Sequence, residues 1–297
     1  MAVAVLLATY KPNLEYLEQQ LISIVGQIGV EVKLYWSDDS GSNHEYELVK
    51  NLISNYQHTD VTLKRENRGV NTNFLQLLQK AENSEIDFYA FADQDDIWES
   101  DKLLRHATAL IPFDNQVACT HSNARVMKGR IQRDGIKLCQ NHDVKTLLAE
   151  NCFQGCTMMI NSSARSLILG LSAEGITWYD WWIGCIISIS GVAVFVDGFD
   201  TIYRLHRGNL IGIPNSLDRI KRVLSVRPQT RLLQSRNLLD FAKKHGFESA
   251  AREIEIWING HSGRIPYRLK FAFTDERRRK HMLDDIARRL LAIRGYN

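Results

Sequence analysis

Asp93, Asp95 and Asp96 put three carboxylates into four consecutive residues, broken only by Gln94, between the apolar run 88–92 and Ile97-Trp98. Carboxylates that close repel one another unless a positive group neutralises them, and a hard divalent cation such as Mg²⁺ or Mn²⁺ suits oxygen ligands best. The cluster therefore reads as a metal site. An EF-hand calcium loop would need Gly at its sixth position and Glu at its twelfth, but counting from Asp93 those places hold Trp98 and Leu104. Ser100 or Asp101 is expected to cap a helix over 102–111, a role that does not call for Asp93 and Asp95 as well. The run 88–92 reads as a central strand, and open α/β sheets bind ligands beyond the carboxyl ends of their strands.

Two further strand ends carry groups that suit a nucleoside. Thr9-Tyr10-Lys11 follows the first apolar run and Asp38-Asp39 the second. A carboxylate accepts the N3–H of a uracil or thymine ring and a tyrosine ring stacks on its face, so a pyrimidine nucleotide is favoured over a pair of ordinary polar turns. The chain has no GxGxxG after the first strand and no GxxxxGKS/T, which argues against a nicotinamide enzyme and a P-loop nucleotidase. Phosphate charge must then be met by metal and side chains, with Lys11, Arg68, Arg204 and His206 as candidates.

The elements that position these groups follow from periodicity. Residues 3–8, 32–36, 61–63 and 88–92 read as strands, and 14–25, 45–56 and 72–82 as helices. That βαβ rhythm predicts a mainly parallel sheet with helices on both faces. The pattern then loosens into a helix at 102–111, a strand at 117–121, a hairpin around Lys128-Gly129, a strand at 156–160 and a helix at 163–171. An apolar helix opens at Trp178-Tyr179-Asp180-Trp181-Trp182, before strands at 192–196 and 201–205. Helices are expected at 217–224, 230–245, 249–258 and 275–293.

The chain is 297 residues long, enough for one large domain or a domain with an appendage. Five cysteines without metal spacing read as small core residues of a cytoplasmic protein. The apolar start reads as a buried strand, and no stretch is long enough to span a bilayer. His106, His121 and His142 have no motif around them and are expected at the surface or in caps. Residues 1–215 hold 18 Lys/Arg against 25 Asp/Glu, whereas 216–297 hold 19 against 9. We place a boundary near 213, giving a catalytic domain over 1–213 and a basic helical region over 214–297. The basic region suits an anionic membrane surface or a second copy of the chain, with nucleic acid the weaker reading.

The ordered blocks ATYKP (8–12), SDDSGS (37–42), ENRGVNTNF (66–74), ADQDDIW (92–98), NCFQGCTMMIN (151–161), TWYDWW (177–182) and YRLHRGN (203–209) resemble the family-two inverting glycosyltransferases of GT-A fold. Among these they are most similar to bacterial rhamnosyltransferases that build cell-surface polysaccharides. The resemblance covers about residues 1–210. It implies a metal-dependent transfer, with Mn²⁺ or Mg²⁺, from a nucleotide-diphosphate sugar such as dTDP-rhamnose or a UDP-hexose to a hydroxyl of a glycan or lipid-linked saccharide. Thr9, Tyr10 and Asp39 would hold the base, and Asn67, Gly69 and Asn73 would shape the nucleoside pocket. Asp93 would contact ribose or donor sugar, Asp95 the metal, and Arg204 with His206 the diphosphate and the metal. Asp180 takes the place of the general base, although a helix N-cap explains an Asp there equally well. Trp181 and Trp182 would stack on sugar, and Gly155 would admit the acceptor, while 156–160 is also readable as a core strand. Lys11 stands where the family usually has Asn. The nearest other reading is a pyrophosphorylase-like or non-catalytic sugar-nucleotide-binding protein.

Overall fold

The computed structural model describes residues 1–297 except 57–60, 65–67, 83–84, 207–227, 276–281 and 296–297. In chain order the elements of the sheet-bearing part are β1 (Ala2–Thr9), α1 (Leu14–Val25), β2 (Glu31–Asp38), α2 (Asn43–Ser54), β3 (Val61–Lys64), α3 (Val70–Lys80), β4 (Phe88–Ala92), β5 (Ile97–Trp98), α4 (Lys102–Leu110), β6 (Ala118–Lys128) and β7 (Ile131–Ile136). There follow α5 (Val144–Ala149), β8 (Met159–Asn161), α6 (Ser162–Leu169), α7 (Tyr179–Ser190) and β9 (Val192–Arg204), then the helices α8 (Pro228–Lys244), α9 (Glu248–Ser262), α10 (Ile265–Thr274) and α11 (Met282–Arg294).

The sheet runs β3-β2-β1-β4-β8-β6-β9-β5, with β7 on β6. Its first four strands are parallel, as the βαβ rhythm requires. Beyond β4 the sheet is mixed, because β8 and β7 pair antiparallel and β9 returns parallel to β6. The expectation of two strands at 192–196 and 201–205 is corrected. They form one strand, bent where the register with β6 shifts between His121 and Ala124.

The apolar run that makes up β1 as far as Ala8 follows from its place. Val3, Val5 and Leu7 face a core made with Leu17, Leu21 and Ile24 of α1, Val49 and Ile53 of α2, and Leu103, Ala107 and Leu110 of α4. Period-two alternation sends Ala4 and Leu6 to the other face, which is covered too, so both sets are buried. Asn13 caps α1, its side chain accepting from the Tyr16 amide at 3.1 Å, and Ser42 caps α2 at 3.3 Å from the Glu45 amide. Asp101 does sit at the N-cap of α4, but its side chain makes no capping bond.

Two compact units emerge, and they do not follow a single cut in the sequence. One comprises Met1–Leu138, Phe153–Leu171 and Gly191–Asn209; the other comprises Cys139–Cys152, Ser172–Ser190 and Leu210–Asn297. The second unit is helical. Trp257 is buried in it, with the Arg231 and Arg288 guanidinium groups each 5.9 Å from its ring centre. Gly260 matters there because a Cβ would stand 2.3 Å from the Phe271 ring. The single helix expected over 275–293 is corrected. Asp275 ends α10, which the sequence reading missed, and α11 begins at Met282. The helix expected at 217–224 lies outside the described residues, as do the basic residues 219, 221, 222, 227 and 277–280. Arg288 is not a surface cation. It is buried between Asp275 at 2.8 Å and Asp285 at 2.9 Å. Among the described residues no helix is long and apolar enough to cross a membrane.

Candidate active site

β1 and β4 lie side by side, with Leu7 opposite Ala92, so the segments that follow them meet at one edge of the sheet. Gln94 clamps them together. Its Oε1 accepts from the Tyr10 amide at 2.7 Å and its Nε2 donates to the Tyr10 carbonyl at 3.2 Å. Lys11, next along, is the non-glycine residue with positive φ (46°) among the described residues. The left-handed region costs an ordinary side chain about 1 kcal/mol or more and Asn the least, so Lys11 holds a conformation that Asn would adopt more readily. Tyr10 is exposed, with the Lys11 ammonium 5.6 Å from its ring centre.

Thr9 is buried, and its hydroxyl is engaged inside the sheet. It accepts from the Trp36 indole at 2.9 Å and donates toward Asp38 Oδ1 at 3.1 Å. Asp39, also buried, splits its two oxygens between the backbone amides of Arg68 and Gly69, each at 2.8 Å. It thereby fixes the entry to α3, where Gly69 adopts φ 86° that a side chain would resist. One turn on, Asn73 is buried with its Oδ1 lacking a partner among the described residues. Asn67 lies outside the described residues.

The acidic cluster separates into distinct environments. Asp95 Oδ2 meets His206 Nε2 at 2.5 Å, and both side chains keep some exposure. Arg204 is buried beneath them. Its Nε donates to the Asp95 carbonyl at 2.9 Å, its Nη2 to Gln19 Oε1 at 2.7 Å, and its guanidinium lies 4.3 Å from the Tyr16 ring centre. Asp93, Asp96 and Cys156 bring one ligand atom each within 4.8 Å of one another. Asp96 is fully buried, and desolvation, with the Asp95 charge behind it, pushes its carboxyl up to about 7. Burial likewise raises the Cys156 thiol well above its ordinary value. Burial thus disfavours the charged forms of Asp96 and Cys156, whereas Asp95 and His206 keep some exposure.

Behind the cluster lies a buried polar network that sequence reasoning missed. Lys102 donates to the Cys156 carbonyl and, at 2.8 Å, to Thr201 Oγ1, while its ammonium stands 3.8 Å from the Trp98 ring centre. His106, expected at the surface, is buried: its Nε2 is 2.9 Å from Asp200 Oδ2 and its Nδ1 2.8 Å from Thr120 Oγ1. Ser122 completes the set by donating to Asp200 Oδ1 at 2.6 Å. His121, also expected outside, is buried between Phe153 and Phe195. Nothing in the spacing of these residues signals partners about a hundred positions apart.

The profile described as "Glycosyl transferase family 2" matches residues 4–165, more than half of the chain. The chain belongs to glycosyltransferase family 2. It is 25% identical over 215 residues to "dTDP-rhamnosyl transferase RfbG" of Shigella flexneri, an alignment that covers 69% of this chain and 73% of that protein. Its fold is the GT-A glycosyltransferase fold. S. aureus TarS 1-349, solved with UDP-GlcNAc, superposes with a TM-score of 0.56 at 16% identity, covering 93% of this chain and 76% of TarS 1-349. The mannosyltransferase PcManGT from Pyrobaculum calidifontis, solved with GDP-Man and Mn²⁺, gives 0.56 at 14% identity over 98% of this chain and 85% of its own.

The remaining expected site residues of this family 2 chain are divided between the two units. Gly155 is buried in a 3-10 turn, Gly155–Thr157, of the sheet-bearing unit. In the helical unit, Asp180 is the second residue of α7 rather than its N-cap, and its Oδ1 accepts from the Trp181 amide at 2.6 Å and from Asn151 Nδ2 at 3.3 Å. Trp181 and Trp182, expected to stack on sugar, are both buried. The Trp181 indole donates to the Leu147 carbonyl at 2.8 Å and carries the Arg231 guanidinium 4.9 Å from its ring centre.

Proposed function

We propose that this glycosyltransferase moves rhamnose from dTDP-rhamnose, or a hexose from a UDP-hexose, onto a hydroxyl of a glycan or lipid-linked saccharide, with inversion, in bacterial surface polysaccharide synthesis. The observation that carries the reading is the convergence of Asp95, His206 and Arg204 beside the Tyr10 and Asp39 segments at one sheet edge. Asp95 and His206, in direct contact at 2.5 Å, offer a carboxylate oxygen and an imidazole nitrogen, donors whose chemistry suits Mn²⁺ and, less well, Mg²⁺ once the two part to admit an ion. Asp95 and His206 would hold that ion, which when bound supplies positive charge to the leaving nucleoside diphosphate.

The chain's own residues do the rest. Arg204, held by Gln19 and Tyr16, fixes the backbone at Asp95 and so the direction of its carboxylate. Asp39 orders the segment that opens α3, with Tyr10 exposed for stacking on a pyrimidine. Asp180 is the group we assign to take the acceptor hydroxyl's proton, its orientation held by Asn151 and the Trp181 amide. Direct attack by the acceptor inverts the anomeric centre without a covalent sugar–enzyme intermediate. We assign the catalytic part to 1–213, since Asp180, Arg204 and His206 lie beyond the 4–165 match, and peripheral attachment at an anionic leaflet to the basic region that follows.

A donor screen tests this. Purified protein with dTDP-rhamnose, UDP-hexoses and UDP-N-acetylhexosamines, with and without Mn²⁺, should show manganese-dependent nucleoside diphosphate release and a thermal shift for one donor. Calorimetry that found neither Mn²⁺ nor any pyrimidine diphosphate binding would overturn the assignment.

A further inference from the structure

α10 and α11 form an antiparallel pair. Arg268 Nη1 donates to the Arg294 carbonyl at 2.8 Å at one end, and Arg289 Nη2 to the Asp275 carbonyl at 2.7 Å toward the other. α10 buries Phe271 and Ala272, the Phe271 ring meeting Trp257 and His261 of α9 with centres 6.0 and 5.0 Å apart. α11 buries Ala287 and Leu291 against Leu232. Each helix also keeps large apolar side chains in the open: Ile265, Leu269 and Phe273 on α10, 61, 39 and 77% exposed, and Ile286 and Leu290 on α11, 46 and 56% exposed.

These residues share one face. A helix turns about 100° per residue, so Ile265, Leu269 and Phe273 fall within roughly 80° of one another, and Ile286 and Leu290 within roughly 40°. Around α10 the order is Phe271 toward the interior, then Arg268 and Ala272 toward α11, then the exposed stripe. Around α11 it is Ala287 and Leu291 inward, then Asp285 and Arg289 toward α10, then the exposed pair. The same order about two axes of opposite direction brings both stripes to the outer side of the pair.

Among the residues of the pair whose side chains are described, Asp275 and Asp285 are taken up internally by Arg288 and Arg289, and the exposed charges are cations. Lys270 lies about 60° beyond Phe273 around α10, Arg294 about 40° beyond Leu290 around α11, and Arg264 stands at the N-cap of α10; all three are exposed. A monomer seldom leaves five large apolar side chains together on one face, and apolar residues rimmed by Arg and Lys match a layer with an anionic surface over hydrocarbon.

We infer that the outer face of the α10–α11 pair is a membrane-docking surface. Ile265, Leu269, Phe273, Ile286 and Leu290 enter the headgroup boundary of an anionic leaflet, and Arg264, Lys270 and Arg294 contact its phosphates. The inference names the surface behind the peripheral attachment proposed above and does not depend on the donor.

The test is co-sedimentation of the full chain with phosphatidylcholine vesicles, with and without phosphatidylglycerol, alongside Leu269→Ser/Phe273→Ser and Arg264→Glu/Lys270→Glu variants. Wild type should bind only the anionic vesicles. Either double substitution should weaken binding about tenfold or more, with circular dichroism, thermal midpoint and lipid-free nucleotide binding unchanged. Equal binding by wild type and both folded variants would overturn the inference, as would no anionic binding at all. So would a wild-type dimer that Leu269→Ser/Phe273→Ser converts to a monomer without any effect of lipid. Nucleotide binding is read without vesicles, so failure here leaves the donor assignment standing, and the reverse.

Discussion

Asp39 offers the sharpest test of how the nucleotide edge is held. Its carboxylate accepts the amides of Arg68 and Gly69, each at 2.8 Å, from a buried position. Hydrogen bonds to a charged group contribute about 1.5–3 kcal/mol each, so Asp39→Ala has a ceiling of about 3–6 kcal/mol. Arg68 and Gly69 are themselves exposed, and water will satisfy their amides once the carboxylate is gone. The expected cost is therefore about 2–3 kcal/mol, most of it in local opening of the entry to α3. Asp39→Asn keeps one acceptor but turns an NH₂ group toward the second amide, and should cost about half as much. Amide hydrogen exchange read at residues 68 and 69 should speed up at least about 30-fold in Asp39→Ala, since each 1.4 kcal/mol is a factor of about ten. Pyrimidine diphosphate affinity, followed by calorimetry, should fall in step because the loop must be ordered again on binding. Exchange at those two amides that stayed within about a factor of two of wild type would refute the reasoning.

Asp200 gives a pH prediction. Burial alone would raise its carboxyl, but the His106 imidazole, followed by Lys102 and the Ser122 hydroxyl, holds it well below the usual range. A depressed acid stabilises the fold fully above its unfolded value near 3.9 and loses that contribution as pH falls through the folded value, so the loss belongs below about pH 4. Urea midpoints should therefore drop there in wild type and less steeply in Asp200→Asn, which at neutral pH should already be weaker by about 3–5 kcal/mol; parallel curves would reject the pairing. Asp180→Asn should abolish sugar transfer to acceptor while nucleotide affinity persists, and near-normal turnover would remove Asp180 as the base.

The sequence by itself determined the first half of the sheet and which segments are candidates for the chemistry. A short unbroken apolar run such as 88–92, set in a βαβ rhythm, suits a strand buried on both faces, and local charge repulsion marks Asp93 to Asp96 wherever the chain goes. Local caps such as Asn13, which accepts from the Tyr16 amide three residues on, are likewise short-range. Tertiary structure alone decided which carboxylate stays available and which is buried: Asp95 faces His206 across 111 positions of sequence, while Asp96 is enclosed beside Cys156. It also took Arg288 out of the apparent basic surface, buried His106 on Asp200, and turned Trp181 and Trp182 inward. Burial and pairing depend on partners distant in the chain, and neither periodicity nor spacing carries that information.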